Sequence, residues 1–237
     1  MTQTPQWNTD APVRLDVFSD IACPWCFIGL RNLETAIAAE QAAGRTVVTR
    51  HRPFELQPNM PLEGVDTGAF FEDRFGGAHV MQAAFDRVEV AGRDVGLAID
   101  HSSMPKVANT RFAHAVALTY DDDERQRAVL HALFSAYFEQ GLDITDRTLV
   151  LGLAAAASGE ARADLSARLV SGADVELALA YGRELGVTAV PTVVADASAS
   201  MSSADFGPSQ VAVAIQGAQP SANLIDLMQE ARQRAGA

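Results

Sequence analysis

The sequence VRLDVFSDIACPWC, residues 13–26, is the segment that is most informative about the fold of this chain. It contains both of the chain's cysteines, Cys23 and Cys26. Apolar and polar residues alternate over positions 13–18, which is the period-two pattern of a β-strand. The next four residues break the alternation and predict a short loop. From Cys26 onward, apolar residues recur every three or four positions, so the chain continues as an amphipathic helix. The two cysteines therefore lie where a strand leads into a helix.

The start of this helix predicts different roles for the two cysteines. Cys23 falls at or next to the N-cap, and Pro24 occupies the first helical position, where its missing N–H costs nothing. Unpaired N–H groups and the helix dipole favour a thiolate, and motifs of this kind lower a cysteine pKa from roughly 8.5 to about 3.5–7.5. Cys26 lies one turn further along on the apolar side, less exposed but close enough to form a disulfide with Cys23. We expect Cys23 to be the nucleophile and Cys26 the resolving thiol.

Two other uses of a cysteine pair fit this sequence less well. A purely structural Cys23–Cys26 disulfide would span two intervening residues and remove little entropy from the unfolded chain. A zinc site needs four ligands, and the sequence has no second cysteine pair, although its five histidines could contribute. We therefore expect no metal and no cofactor beyond the redox-active Cys23–Cys26 disulfide.

Length and charge limit the class of protein and of partner. A chain of 237 residues can form one large domain, or one domain with a second inserted in it. The net charge of −12 makes nucleic acid and anionic membrane surfaces improbable partners, because they would be repelled. The sequence has no apolar run long enough to span a membrane, and residues 1–12 lack the features of a signal peptide. We expect a cytoplasmic protein, where a lone cysteine pair is more plausibly catalytic or redox-sensing than structural.

The order of the remaining elements predicts an α/β fold. Strand signals occur in two pairs on either side of a long helical stretch, at residues 13–18 and 46–52 and at residues 190–194 and 211–215. Almost every apolar pattern in the intervening stretch has helical period, and a terminal helix begins at Ser221. These patterns predict a mixed four-stranded sheet with a large all-helical domain inserted between its two halves. Residues 195–209 predict an exposed loop.

Several short segments together resemble one known family. They are Phe18-Ser19-Asp20 before the CPWC motif, Phe54 and Leu56 in a proline-containing loop, Asn109-Thr110 with His114, Gly186 to Pro191, and Gly217 to Pro220. From about residue 13 to residue 230, the chain resembles the DsbA-like thioredoxin-fold family, in particular its cytoplasmic FrnE-like branch.

The resemblance implies a fold, an activity and a set of site residues. It implies a discontinuous thioredoxin-like domain over 13–66 and 186–237, with an inserted helical domain over 67–185. In that family the peptide bond of the proline opposite the motif is cis, and the resemblance implies a cis bond at Pro191. The backbone of the residue before that proline pairs with the substrate, and this residue is Val190 here. Pro24 and Trp25 complete the expected substrate-binding residues.

The implied activity is thiol–disulfide exchange with protein or small-molecule disulfides, with glutathione as a candidate electron partner. A second function is a glutathione-dependent isomerase or transferase of the related kappa-type lineage, whose members usually carry serine where this chain has Cys23. A third is a non-catalytic binding module or chaperone, which the intact CPWC and Val-Pro signatures argue against. His51 and His114 are expected to be hydrogen-bonded structural histidines rather than bases.

Overall fold

Six strands and nine α-helices occur in the part of the chain that the computed structural model describes, residues 10–198 and 209–236. In chain order they are β1 (Val13–Ser19), α1 (Pro24–Ala42), β2 (Val47–Pro53), β3 (Val65–Asp66), α2 (Thr67–Phe75), α3 (Ala78–Asp94), β4 (Lys106–Val107), α4 (Arg111–Leu118), α5 (Asp123–Phe138), α6 (Arg147–Ser158), α7 (Arg162–Ala167), α8 (Gly172–Glu184), β5 (Thr192–Asp196), β6 (Val213–Gln216) and α9 (Ser221–Ala235). None of the helices in these two ranges is both long enough and apolar enough to cross a membrane.

Four strands form one mixed sheet in the order β2-β1-β5-β6. β1 pairs with β2 in parallel, and the β1–β5 and β5–β6 pairs are antiparallel. Two strands come from before the helical stretch and two from after it, which confirms the predicted split sheet and the thioredoxin-like α/β fold. The helical stretch also contains β4, which pairs with β3 over two residues on each side. Strands this short leave no readable sequence pattern.

The two late strands begin later than their sequence patterns predict. β5 begins at Thr192 rather than at residue 190, because Pro191 has no N–H to donate to a ladder. β6 begins at Val213 rather than at residue 211, because a turn precedes it, with the Ala212 N–H donating to the carbonyl of Ser209 at 3.2 Å. Of the predicted 195–209 loop, residues 199–208 lie outside the described residues. The Asp196 carboxylate accepts the backbone N–H groups of Ser198 and Ser209, at 2.9 and 2.6 Å.

Helix α1 contributes to two hydrophobic cores. Near its start, Phe27 is fully buried and stacks on Phe134 of α5, with ring centroids 5.3 Å apart. Towards its end, Leu33 and Ile37 pack with the sheet and with the buried face of α9. The helix that begins at the cysteine motif therefore joins the sheet to the inserted helices.

Both faces of β1 are covered, although its alternating sequence predicts one polar face. Arg14 and Asp16 are 3% and 2% exposed, and Asp16 forms ion pairs with Arg14 at 3.3 Å and with Arg52 of β2 at 2.7 Å. Phe18, on the same face, packs against Tyr181 of α8, with ring centroids 5.8 Å apart. Helix α8 covers the face that the sequence pattern would assign to solvent.

Side chains of α5 cover the backbone of the edge strand β2. The Thr49 N–H donates to the Asp123 carboxylate at 3.2 Å, and the His51 N–H donates to the Gln126 side-chain oxygen at 2.8 Å. These bonds use N–H groups that an uncovered edge would present to other chains. They also fix α5 against the strand that carries His51.

A buried ion pair joins the end of α1 to the terminal helix. The Glu40 carboxylate is fully buried and lies 2.6 Å from the Arg232 guanidinium, and Arg45 binds the same carboxylate from the surface side, also at 2.6 Å. The hydrogen bonds from these two arginines, that from Arg45 foremost, hold the pKa of Glu40 below its ordinary value, against the opposing effect of burial. Helix α9 is thereby held against α1.

Candidate active site

Cys23 is the N-cap residue of α1, as the sequence predicts. Its backbone is extended, with φ −103° and ψ 111°, and Pro24 follows as the first helical residue. The Cys23 carbonyl accepts the N–H of Cys26 at 3.0 Å, and no side chain caps this end of the helix. The Cys23 sulfur is therefore at the positive end of the α1 dipole.

The loop before β5 lies opposite this sulfur. The Cys23 Sγ is 3.9 Å from the carbonyl oxygen of Val190, and the Val190–Pro191 peptide bond is cis. Two hydrogen bonds hold the loop: the Gly217 N–H donates to the Pro191 carbonyl at 2.8 Å, and the Thr192 hydroxyl donates to the Ala189 carbonyl at 2.7 Å. The fold thus brings together the two segments singled out in the sequence.

Cys26 is buried behind Cys23, and both are free thiols. Cys26 is 2% exposed and Cys23 is 5% exposed, so the expected order of exposure holds but the difference is small. Burial, and then the hydrogen bond with Cys23, raise the pKa of the Cys26 thiol well above its usual value. The two thiols therefore differ in their position relative to the start of α1, and hardly in their exposure.

Gly29 sets the distance between α1 and the Pro191 loop. A Cβ atom at this position would lie 3.1 Å from Cγ of Pro191, and 3.7 Å from Cα of Ala218. The proline ring therefore occupies space that any side chain at Gly29 would take. An isolated glycine within a helical pattern can mark such a close approach, and this signal was present in the sequence.

Asp20 ties the turn before the motif to neighbouring segments, a role that the sequence pattern did not reveal. Its carbonyl accepts the Cys23 N–H at 3.0 Å, and its buried carboxylate accepts the N–H groups of Ala22 at 3.2 Å and Leu56 at 2.7 Å. His114 Nε2 lies 3.4 Å from the same carboxylate. One side chain thus connects three segments around the cysteine motif.

The two histidines named from the sequence differ in their hydrogen bonding. His114 Nε2 lies 3.0 Å from the Phe54 carbonyl, so His114 is a hydrogen-bonded structural histidine as expected. The expectation is wrong for His51, because neither of its ring nitrogens has a hydrogen-bond partner within the described protein residues. His51 lines a small cavity together with apolar side chains of α1 and α5, which the sequence pattern could not show. No three His, Cys, Asp or Glu side chains in residues 10–198 and 209–236 are grouped so that they could hold a metal ion.

An apolar groove begins beside the CPWC motif. Trp25 is 40% exposed and lines this groove together with Pro24. The groove has a volume of about 250 Å³ and continues between the motif and helices α2 and α3. Its other lining residues are mostly apolar or aromatic and include Leu56, Phe71, Phe85 and Met104. A ligand reaching Cys23 from this side would meet an apolar surface.

Comparison with known proteins finds similarity over most of the chain. A family model described as "DSBA-like thioredoxin domain" matches residues 14–226. The structure resembles the probable DsbA oxidoreductase SCO1869 from Streptomyces coelicolor, with 26% identity, a TM-score of 0.74, and coverage of 92% of this chain and 89% of that one. No curated protein sequence gave a match.

Two further solved structures share the fold at lower identity. One is a 2-hydroxychromene-2-carboxylate isomerase, with 15% identity, a TM-score of 0.59, and coverage of 90% of this chain and 92% of that one. The other is the cytosolic disulfide reductase DsbM from Pseudomonas aeruginosa, with 18% identity, a TM-score of 0.52, and coverage of 92% and 95%.

Proposed function

Because the chain belongs to the DSBA-like thioredoxin domain family, we propose that it is a thiol–disulfide oxidoreductase with Cys23 and Cys26 as its redox pair. The Cys23 thiolate attacks a substrate disulfide, one substrate sulfur leaves as a thiol, and a mixed disulfide forms. Cys26 then attacks the Cys23 sulfur, releases the second substrate thiol, and leaves the Cys23–Cys26 disulfide. Two electrons pass from the enzyme to the substrate, and the reverse sequence oxidises a dithiol.

The position of the Cys23 sulfur is the main observation in support of this proposal. Its sulfur lies at the N-terminus of α1 and 3.9 Å from the Val190 carbonyl, and Cys26 is buried one turn behind it. Backbone groups of Val190 would pair with an extended substrate strand beside the sulfur. Pro24, Trp25 and the apolar groove would contact the substrate on the other side. Substrates are then protein or small-molecule disulfides with apolar groups near the sulfur.

Trapping experiments test the roles of the two cysteines. Cys26→Ser should accumulate mixed disulfides with substrate, because the second step is blocked. Cys23→Ser should form none and should not reduce insulin. Non-reducing electrophoresis with mass spectrometry reads both results, and equal trapping by the two variants would contradict the assignment.

The direction of the reaction depends on the reduction potential. The N-terminus of α1 favours the reduced pair, but Trp25 adds no positive charge between the cysteines. We expect a potential between about −120 mV, the value for DsbA, and about −270 mV, the value for thioredoxin. In a cytoplasmic protein of the FrnE-like branch, such a pair would rest mainly as the dithiol and act as a reductase or isomerase. Glutathione would then be an electron partner, and equilibration in glutathione buffers measures the potential.

A glutathione-dependent isomerase or transferase is the alternative function. The shared fold with the 2-hydroxychromene-2-carboxylate isomerase favours this candidate. Cys23 argues against it, because members of the kappa-type lineage usually carry serine at that position. A glutathione-conjugation assay and an insulin-reduction assay distinguish these two functions. An isomerase or transferase would be active only in the glutathione-conjugation assay.

A further inference from the structure

His51 is a buried polar residue that lines the same small cavity as Cys26. It is 5% exposed, and its ring nitrogens have no partner among the protein residues of the described ranges. Buried polar groups in folded proteins almost always have a hydrogen-bond partner, either protein or ordered water. The position of His51 on β2 is fixed by the bond from its backbone N–H to Gln126. No protein group of the described residues is that partner, and an ordered water molecule is the other kind of partner that such a ring can have.

A small cavity is lined by both His51 and Cys26. Its polar lining residues are Ser19, Cys26, His51 and Gln219, and Leu33 and Phe134 are among its apolar walls. The space open to the centre of a water molecule is about 10 Å³, close to the minimum for one water molecule. His51 and Cys26 both line this space. The cavity thus matches one water molecule and has polar groups to hold it.

Burial keeps His51 neutral under physiological conditions. Burial is the main cause that lowers the pKa of His51 to about 4, and Arg127 of α5 acts in the same direction while Asp123 of α5 opposes it. From α1, Cys26 is the titratable group that faces the same cavity. A neutral imidazole has one N–H donor and one acceptor nitrogen, so it can hold a water molecule whose hydrogen points at the sulfur.

We propose that His51 is a positioning residue that holds a water molecule in this cavity against the Cys26 sulfur, and that this water stabilises the Cys26 thiolate during the resolving step. The inference rests on the proposed exchange function. In that step Cys26 loses its proton to solvent and its sulfur attacks Cys23. The bond between Cys23 and the substrate sulfur breaks, and the departing sulfur takes up a proton. A hydrogen bond from water to the attacking sulfur lowers the cost of forming the thiolate in a buried position.

The titration of Cys26 tests the proposal without a substrate. In Cys23→Ser protein, Cys26 is the remaining cysteine, so its ¹³Cβ signal reports its thiolate alone. Adding His51→Leu should leave about tenfold less thiolate at a given pH, as loss of one hydrogen bond to a charged group predicts. His51→Gln can still hold the water and should stay within about twofold of the parent. Leu33→Met changes an apolar wall of the same cavity and should leave the titration unchanged.

The same variants with both cysteines present link the effect to the reaction. His51→Leu should slow release of substrate from the mixed disulfide by about the same tenfold factor, while alkylation of Cys23 stays unchanged. An unaltered Cys26 titration in folded His51→Leu protein would overturn the inference. If this variant does not fold, the ¹⁵N signals of the His51 ring in the Cys23→Ser parent should shift as Cys26 titrates, and the absence of any shift would equally refute it. If the wild-type protein did not reduce insulin, that result would instead refute the proposed function.

Discussion

Replacing Gly29 by alanine tests whether α1 fixes the Pro191 loop beside Cys23. The added Cβ would lie 3.1 Å from Pro191 Cγ and 3.5 Å from Pro191 Cβ. Ordinary carbon contacts lie at about 3.5–4.0 Å, so the proline must move by a few tenths of an ångström. The Val190 carbonyl, 3.9 Å from the Cys23 sulfur, would move with it.

Two effects on stability oppose each other in this variant. Alanine in place of glycine within a helix stabilises by about 1 kcal/mol, because it reduces the entropy lost on folding. Overpacking against a rigid ring costs about 1–3 kcal/mol. We therefore expect the free energy of unfolding of Gly29→Ala to fall by about 0–2 kcal/mol. Turnover should fall more clearly, several-fold, because a misplacement of about 1 Å at a reacting centre can cost about 100-fold.

The assay compares insulin reduction with urea unfolding of the same protein. Gly152→Ala is the matched control, because Gly152 lies inside α6 and a Cβ there would meet no atom within 4 Å. This control should gain about 0.4–1 kcal/mol and keep full turnover. If Gly29→Ala retained full turnover and gained stability like the control, the contact with Pro191 would not position the loop.

Three more predictions concern buried ionisable groups. Glu40→Gln removes one charge of the buried pair with Arg232 and should cost about 3 kcal/mol in urea unfolding. Glu34→Gln, at a partly exposed pair with Arg31, should cost less than about 1 kcal/mol. Because the pKa of His51 is about 4 in the folded state and roughly 6.5 when unfolded, the unfolded chain binds its proton first. The free energy of unfolding should therefore fall by up to about 3 kcal/mol as the pH drops from about 6.5 to about 4. In His51→Leu, the part of this fall that comes from protonation of His51 should be absent. Since burial raises the pKa of Cys26, iodoacetamide at about pH 8 should leave Cys26 unmodified in the folded protein and label it promptly in urea, as peptide mass spectrometry would show.

Each of these predictions has an outcome that contradicts it. Equal costs for Glu40→Gln and Glu34→Gln would mean that burial does not strengthen the pair with Arg232. Parallel pH dependence in wild type and His51→Leu would mean that His51 keeps its ordinary titration when folded. Prompt labelling of Cys26 in the folded protein would mean that its thiol is open to solvent and reagents.

The sequence predicts the parts of the structure that local patterns encode. The strand, the N-cap position of Cys23 and the helix from Pro24 follow from periodicity and capping rules, and the four strand signals predict the split sheet. The cis bond at Pro191 was implied only by family resemblance, because proline identity alone does not set the isomer. The division into domains at residues 67 and 185 stays a prediction.

Long-range packing explains what the sequence did not reveal. Arg14 and Asp16 alternate with apolar residues as on a solvent-facing strand, yet α8 covers them, and α8 is more than 150 residues later in the chain. The cavity that His51 lines is formed by residues of β1, α1, α5, β5 and α9, so its missing ring partners could be seen only after these elements were placed. Asp20 is typical of a turn residue, and its contacts with Leu56 and His114 depend on the loop after β2 and on α4, which the sequence alone does not bring together.

The split sheet also sets the order in which the site is completed during synthesis. β1 can pair on its second side only after β5 has been synthesised, because Arg14 of β1 pairs with Asp196 of β5. At about 5–20 residues per second, the ribosome needs roughly ten seconds or more to reach that residue. Both cysteines are made long before Val190 and Pro191, so a nascent chain carries the cysteine pair before the loop that faces Cys23. A chain truncated before Val190 would therefore present two cysteines without the loop that faces Cys23 in the folded protein.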